Sequence, residues 1–68
     1  MEVKLKELRL KKGLSQSELA GLTRINTANL CKIERGFNNP SLTTAKKIAD
    51  VLGVEVETIF PDLKRREI

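Results

Sequence analysis

Histidine, tryptophan and tyrosine are absent from this sequence, and cysteine occurs only once, at position 31. Without histidine or a glycine-rich phosphate loop, no set of general acid, base and nucleophile can be assembled, so we do not expect an enzyme. A single cysteine excludes an internal disulfide and a structural zinc cluster, and we expect no cofactor. The only aromatic residues are two phenylalanines, too few for a platform that stacks single-stranded nucleic acid.

Long hydrophobic runs are also missing. The apolar stretches are far below the ~20 residues of a membrane span, and no secretory signal follows Met1, so we expect a cytoplasmic protein without membrane contact. The 68 residues predict a single domain over 1–68. A chain of this size buries only roughly 60% of its unfolded surface, so association would help it. Thirteen Lys and Arg against nine Asp and Glu give a net charge of +4, which favours a polyanionic partner without proving one.

The periodic stretches of the sequence have the helical repeat. Ser15 followed by Glu18 is a capping-box pattern, which predicts that the second helix begins near residue 16 with Leu19 and Ala20 facing inward. Apolar spacing, caps and terminators predict four further helices. Their expected ranges are about 3–12, 26–36, 42–52 and 55–60, bounded by Gly13, Asn26, Gly36, Ser41, Gly53 and Pro61.

The segment 54–58 alternates between apolar and polar residues, so a strand is an alternative there. We prefer the helix because a lone strand would have no partner. Five short helices with short connections predict an all-α bundle. The tight joint TRIN between the second and third helices predicts a helix-turn-helix unit over about 16–35, and residues 61–68 are expected to form a tail.

The third predicted helix, NTANLCKIERG, has two different faces. Leu30 and Ile33 lie on one side, and the opposite side begins with small residues able to form hydrogen bonds and ends in cations. From the residues alone, an ordinary solvated face and a surface that contacts a polyanion are equally good interpretations.

Three segments occur together in a specific order and spacing: LSQSELA, INTANLCKIERG and NPSLTTAKKIADVLGV. Through them residues 5–60 resemble the phage Cro and repressor type of helix-turn-helix domain, the XRE family. The resemblance implies a compact five-helix, lambda-repressor-like fold. It also implies a transcriptional regulator, a repressor, that binds specific double-stranded DNA. Arg24 departs from the family pattern, which usually has glycine in this turn, and a left-handed arginine would cost of order 1 kcal/mol unless the turn takes another shape.

The resemblance further implies that the third helix lies in the major groove of DNA. The base-reading positions then fall on Thr27, Ala28 and Lys32, while Asn29 reaches either a base or a phosphate. Lysine can donate to guanine O6 and N7, and the methyl groups of threonine and alanine can pack against a thymine methyl.

Phosphate contacts are expected at helix starts, where unpaired amides and the helix dipole favour anions. Gln16 matches the phosphate-binding glutamine of the family, and Ser15 adds a contact beside its capping role. The other candidates surround the start of the fourth helix and are Arg35, Asn38, Asn39 and Ser41. For the two asparagines, pure turn chemistry is an equal alternative.

Two further expectations concern single residues. In the family, residues at the positions of Arg9 and Glu34 form a partly buried ion pair that links the first helix to the third. Cys31 is expected to fill space rather than to sense redox state.

One recognition helix reads only a few base pairs, and resembling proteins bind palindromic sites as homodimers. The end of this sequence has more apolar residues than a small core needs. We expect Val54 and Ile59 to close the core and Val56, Phe60 and Leu63 to form the dimer contact. No small-molecule ligand is expected. The alternative function is a protein-interaction module, such as an antitoxin or a bridging factor.

Overall fold

The computed structural model of the protein describes residues 3–37 and 40–61. These residues form five helices: α1 (Leu5–Lys11), α2 (Gln16–Thr23), α3 (Thr27–Glu34), α4 (Leu42–Leu52) and α5 (Val56–Ile59). Across these two ranges there is no strand, which confirms the all-α prediction and the preferred helix for the last element. Within the same ranges, no helix is both long and apolar enough to cross a membrane.

The helix starts follow the predicted capping chemistry. The Ser15 hydroxyl accepts a hydrogen bond from the Glu18 amide at 3.0 Å, and the Glu18 carboxylate accepts one from the Ser15 amide at 2.9 Å. Asn26 caps α3 by accepting from the Ala28 amide, and Ser41 caps α4 by accepting from the Thr44 amide. The boundaries of α1 were predicted less well, because the helix is shorter at both ends than the expected 3–12.

The core lies where all five helices meet. Its largest side chains with less than 2% exposure are Leu5, Leu19, Leu30, Ile33, Ile48, Ile59 and Phe60. The longest helix, α4, adds Ala45, Ala49 and Leu52. Leu42 belongs to the same apolar series in the sequence but is 46% exposed, because it stands at the first position of α4, at the edge of the bundle.

The sequence predicted that Val56 and Phe60 form a dimer contact. That prediction is wrong, because both side chains are buried within a single chain. Phe60 has no exposed surface and Val56 is 5% exposed, so both close the core together with Ile59. Val54, which was expected to close it, is half-buried and packs against the core. A chain of this size has a thin core, which these side chains help to fill. Leu63, Asn38 and Asn39 lie outside the described residues.

The turn between α2 and α3 has the shape that glycine would favour, although arginine occupies it. Arg24 has φ 58° and ψ 33°, and its amide donates to the Gly21 carbonyl at 3.3 Å. The next amide, of Ile25, donates to the Ala20 carbonyl at 3.0 Å. Of the two alternatives for this turn, the left-handed arginine is therefore the one that occurs, at a conformational cost of about 1–2 kcal/mol.

Candidate nucleic-acid interface

The outward face of α3 carries mostly polar side chains. Leu30 and Ile33 anchor the helix in the core with 0% and 1% exposure. The residues that the resemblance assigned to base reading are all exposed: Thr27, Ala28, Asn29 and Lys32. The first three have short side chains, so the first turn of α3 can approach a partner closely, and the longer Lys32 reaches out from the next turn. This face combines hydrogen-bonding groups, methyl groups and one cation.

Two helix starts carry residues that the resemblance assigned to phosphate binding. At the start of α2, the Ser15 hydroxyl is occupied as a cap, and Gln16 is half-buried. At the start of α4, the Ser41 hydroxyl accepts from the Thr44 amide at 3.2 Å and donates to the Thr44 hydroxyl at 3.0 Å. Both serines therefore hold their helix starts in shape, and the backbone amides of the first helical turn are the donors suited to an anion.

A buried charged cluster joins α1, α2 and α3. Arg9 Nε lies 2.7 Å from Glu34 Oε2, and the two side chains are 8% and 5% exposed. Arg9 Nη1 also donates to the Leu14 carbonyl at 2.7 Å, and Gln16 Nε2 donates to Glu34 Oε1 at 3.2 Å. The cluster thus fixes the start of α2 beside the last turn of α3.

The contact between Gln16 and Glu34 was not predicted from the sequence. The resemblance gave each residue a separate role, and their 18-residue separation carries no periodic or capping signal. The packing of α2 against α3 brings the carboxamide to the carboxylate.

Charge near the interface is mixed in sign. Lys32, Arg35 and Arg24 are exposed on α3 and on the turns that flank it. The hydrogen bond from the Ser15 backbone amide and, to a smaller extent, the bond with the Ser15 hydroxyl hold the pKa of Glu18 below its ordinary value. This carboxylate is therefore ionised at neutral pH, where it complements the positive end of the α2 dipole.

Cys31 is a half-buried free thiol. Among the residues that the structure describes, no group of three or more Cys, Asp or Glu side chains is placed to hold a metal ion.

A second surface, on α4 and α5, was not anticipated. Leu42 and Lys46 of α4 line a groove together with Glu55 and the small exposed part of Val56. The groove thus has apolar side chains together with one cation and one anion. It is a different surface from the polar face of α3.

Comparison with known proteins places this geometry in context. A family model described as Helix-turn-helix matches residues 5–59. The HTH-type transcriptional regulator DdrOP3 of Deinococcus deserti is 38% identical over 57 residues, which are 84% of this chain and 44% of that protein. The immunity repressor protein of Bacillus phage phi105 is 36% identical over 56 residues, which are 82% of this chain and 39% of that protein. The chain thus spans less than half the length of either relative.

A solved structure shows the same fold on DNA. The master regulator for biofilm formation SinR, in complex with DNA, matches with a TM-score of 0.78 and 38% identity. The match covers 84% of this chain and 92% of that chain.

Proposed function

The chain belongs to the Helix-turn-helix family of DNA-binding transcriptional regulators, which are not enzymes, and we propose that it is a repressor that binds a palindromic operator as a homodimer. The observation that carries this proposal is the exposed polar face of α3, held outward by the burial of Leu30 and Ile33. An α-helix of this kind fits the major groove, which is about 12 Å wide. Residues 1–68 act as one DNA-binding domain in the cytoplasm.

Base reading belongs to the first two turns of α3 in this proposal. Lys32 donates to guanine O6 and N7, and Thr27 and Ala28 offer methyl groups to thymine. Asn29 lies on the same exposed face and reaches a base edge or the neighbouring phosphate. Because the first three side chains are short, the backbone of α3 can approach the floor of the groove.

Phosphate binding belongs to the helix starts that flank α3. Gln16 and the backbone amides at the Ser15 cap contact one strand at the start of α2. Arg35 and the start of α4 at Ser41 contact the other side of the groove. Asn38 and Asn39 keep their proposed phosphate role, although both lie outside the described residues.

The second copy of the chain is proposed to bind in the α4–α5 groove. Lys46 and Glu55 line the groove of a single chain. A two-fold axis that brought Lys46 of one copy opposite Glu55 of the other would form two ion pairs for each dimer. The 46% exposed Leu42 supplies apolar surface between these pairs. This surface replaces the one predicted from the sequence, because Val56 and Phe60 are used inside the monomer.

Selection of bound sequences from a random duplex library tests the proposed function. We expect enrichment of an inverted repeat with half-sites about one helical turn apart. A salt titration on the winning sequence then counts phosphate contacts, because the logarithm of the binding constant falls by about 0.9 for each neutralised phosphate per decade of salt. No enrichment, with binding lost at modest salt, would refute the proposal and favour a protein partner.

A further inference from the structure

Glu34 lies at the end of α3, yet its carboxylate faces inward to α1 and α2. Its Oε2 accepts from Arg9 Nε at 2.7 Å. Its Oε1 accepts from Gln16 Nε2 at 3.2 Å and from Arg9 Nη2 at 3.4 Å. Both carboxylate oxygens are thus occupied, one by the arginine alone and the other shared with the side chain that opens α2.

This contact restricts Gln16 before any ligand arrives. A free glutamine side chain loses rotamer entropy when it is immobilised. Here the bond to Glu34 and partial burial already hold the carboxamide in one place. A carboxamide has two N–H donors, so the bond to Glu34 leaves the second donor for another acceptor.

Arg9 extends the restriction to the backbone. Its Nη1 donates to the Leu14 carbonyl at 2.7 Å, immediately before the Ser15 cap. The same guanidinium binds Glu34, so the segment that leads into α2 and the last turn of α3 are tied to one group. The phosphate-binding start of α2 and the base-reading face of α3 are therefore held at a fixed spacing.

We propose that Glu34 is a positioning residue for DNA binding, which orients the Gln16 carboxamide toward a phosphate and keeps that contact in register with α3. This inference rests on the proposed function, in which Gln16 contacts the DNA backbone. Glu34 itself touches no DNA. It acts because an oriented donor binds more tightly than one that must be ordered on binding.

The substitution Glu34→Gln tests the proposal, because a pure charge effect and a loss of positioning should change the affinity for DNA in opposite directions. Removing one negative charge from the protein should by itself tighten binding to a polyanion. Loss of the positioning role should instead weaken binding by about 3- to 10-fold, the range expected for one hydrogen bond. Glu7→Gln on the exposed face of α1 is the matched control, since it makes the same charge change away from the cluster. We expect that control to bind DNA as tightly as the parent or more tightly.

A double-mutant cycle with Gln16→Ala separates positioning from a general loss of stability. Affinities for the selected operator are measured at a temperature at which melting curves show every variant to be folded. We expect Glu34→Gln to weaken binding in the parent and to have little further effect in the Gln16→Ala background. An equal effect in both backgrounds, or tighter binding by Glu34→Gln, would overturn the positioning role.

The cycle also distinguishes the two proposals from each other. If Gln16→Ala leaves affinity unchanged while Lys32→Ala weakens it, the phosphate role of Gln16 fails and the positioning role fails with it, but operator recognition stands. If no variant on α3 changes affinity for any duplex, the proposed function itself fails.

If Glu34→Gln does not fold, NMR relaxation of the Gln16 side-chain amide in the unaltered protein tests the positioning role. An ordered carboxamide, with an order parameter near the rigid value of about 0.85, is the expected result. A value below about 0.6, typical of a flexible group, would contradict positioning by Glu34.

Discussion

Lys32 and Gln16 illustrate, at the scale of single residues, two different ways of binding DNA. We expect Lys32→Ala to reduce affinity for the selected operator by about 1–3 kcal/mol, mainly through one base pair, because it removes a donor to a base edge. Gln16→Ala should weaken binding to all duplexes by similar factors, because phosphates carry no sequence information. Binding of both variants to a panel of single-base operator variants measures the difference. The reverse pattern would contradict the assigned roles.

Truncation of the buried Arg9 should destabilise the fold strongly. Arg9→Ala leaves Glu34, whose side chain is 5% exposed, without its cation. Removing one partner of a buried pair costs about 3–5 kcal/mol, and for a domain of this size each kcal/mol corresponds to about 4–8 °C. We therefore expect the melting temperature to fall by more than about 10 °C in a calorimetric scan.

Lys11→Ala, an exposed position on the same helix, is the control for that substitution and should change the melting temperature little. An Arg9→Ala variant that melts with the parent would show that the pair contributes nothing to stability.

Arg24 is the one non-glycine residue with positive φ in the described part of the chain. Arg24→Gly should raise the free energy of unfolding by up to about 1 kcal/mol, because relief of about 1–2 kcal/mol of left-handed strain exceeds the cost of a more flexible unfolded chain. Denaturant unfolding curves measure this gain. Lys12→Gly is the control, because Lys12 has φ −84° and a glycine there should destabilise. A loss of stability in Arg24→Gly would refute the assignment of strain to this turn.

At the scale of helices, the capping box should make the stability of α2 depend on pH. Hydrogen bonding to Ser15 lowers the pKa of Glu18 in the folded state. A lowered carboxyl pKa stabilises the folded state above the unfolded value of about 4.3, and this contribution disappears as the pH falls through the lower folded value.

We therefore expect Glu18→Gln to melt below the parent at neutral pH and to converge with it in acid. Melting curves of both proteins between neutral and strongly acidic pH test this, with Glu7→Gln as the control for the change in net charge. A difference that grows as the pH falls would have the wrong sign for this mechanism.

The helices also show which local signals in the sequence were sufficient. Ser15, Asn26 and Ser41 cap helices as predicted, because a cap depends on residues no more than three positions away. The start of α1 was misplaced because no side-chain cap marks it. Its position is fixed instead by the bond from the Lys4 amide to the Ile59 carbonyl at 2.9 Å, a contact between distant parts of the chain.

At the scale of the whole molecule, the α4–α5 groove should determine the oligomeric state. Lys46→Glu and Glu55→Lys should each weaken the homodimer, because each substitution places like charges opposite one another at two symmetric positions. The double swap should restore much of the dimer. Sedimentation velocity at low and moderate salt measures all three variants.

Lys47→Glu is the control for the dimer test, since Lys47 lies on α4 but lines a different groove with Leu22 and Asp50. If the parent is dimeric and every groove variant sediments as the parent does, the second copy binds elsewhere. Phe60→Glu is not a test of the interface, because a charge at a fully buried position would unfold the monomer.

The sequence by itself determined the five helices, most of their caps and the exposed face of α3, because helical periodicity and capping are local properties. It also carried the three linked segments by which the family is recognised. The tertiary structure alone decided that Phe60 and Val56 close the core and that Gln16 meets Glu34. Both outcomes depend on how helices far apart in the chain pack together, and neither apolar composition nor local spacing specifies that packing.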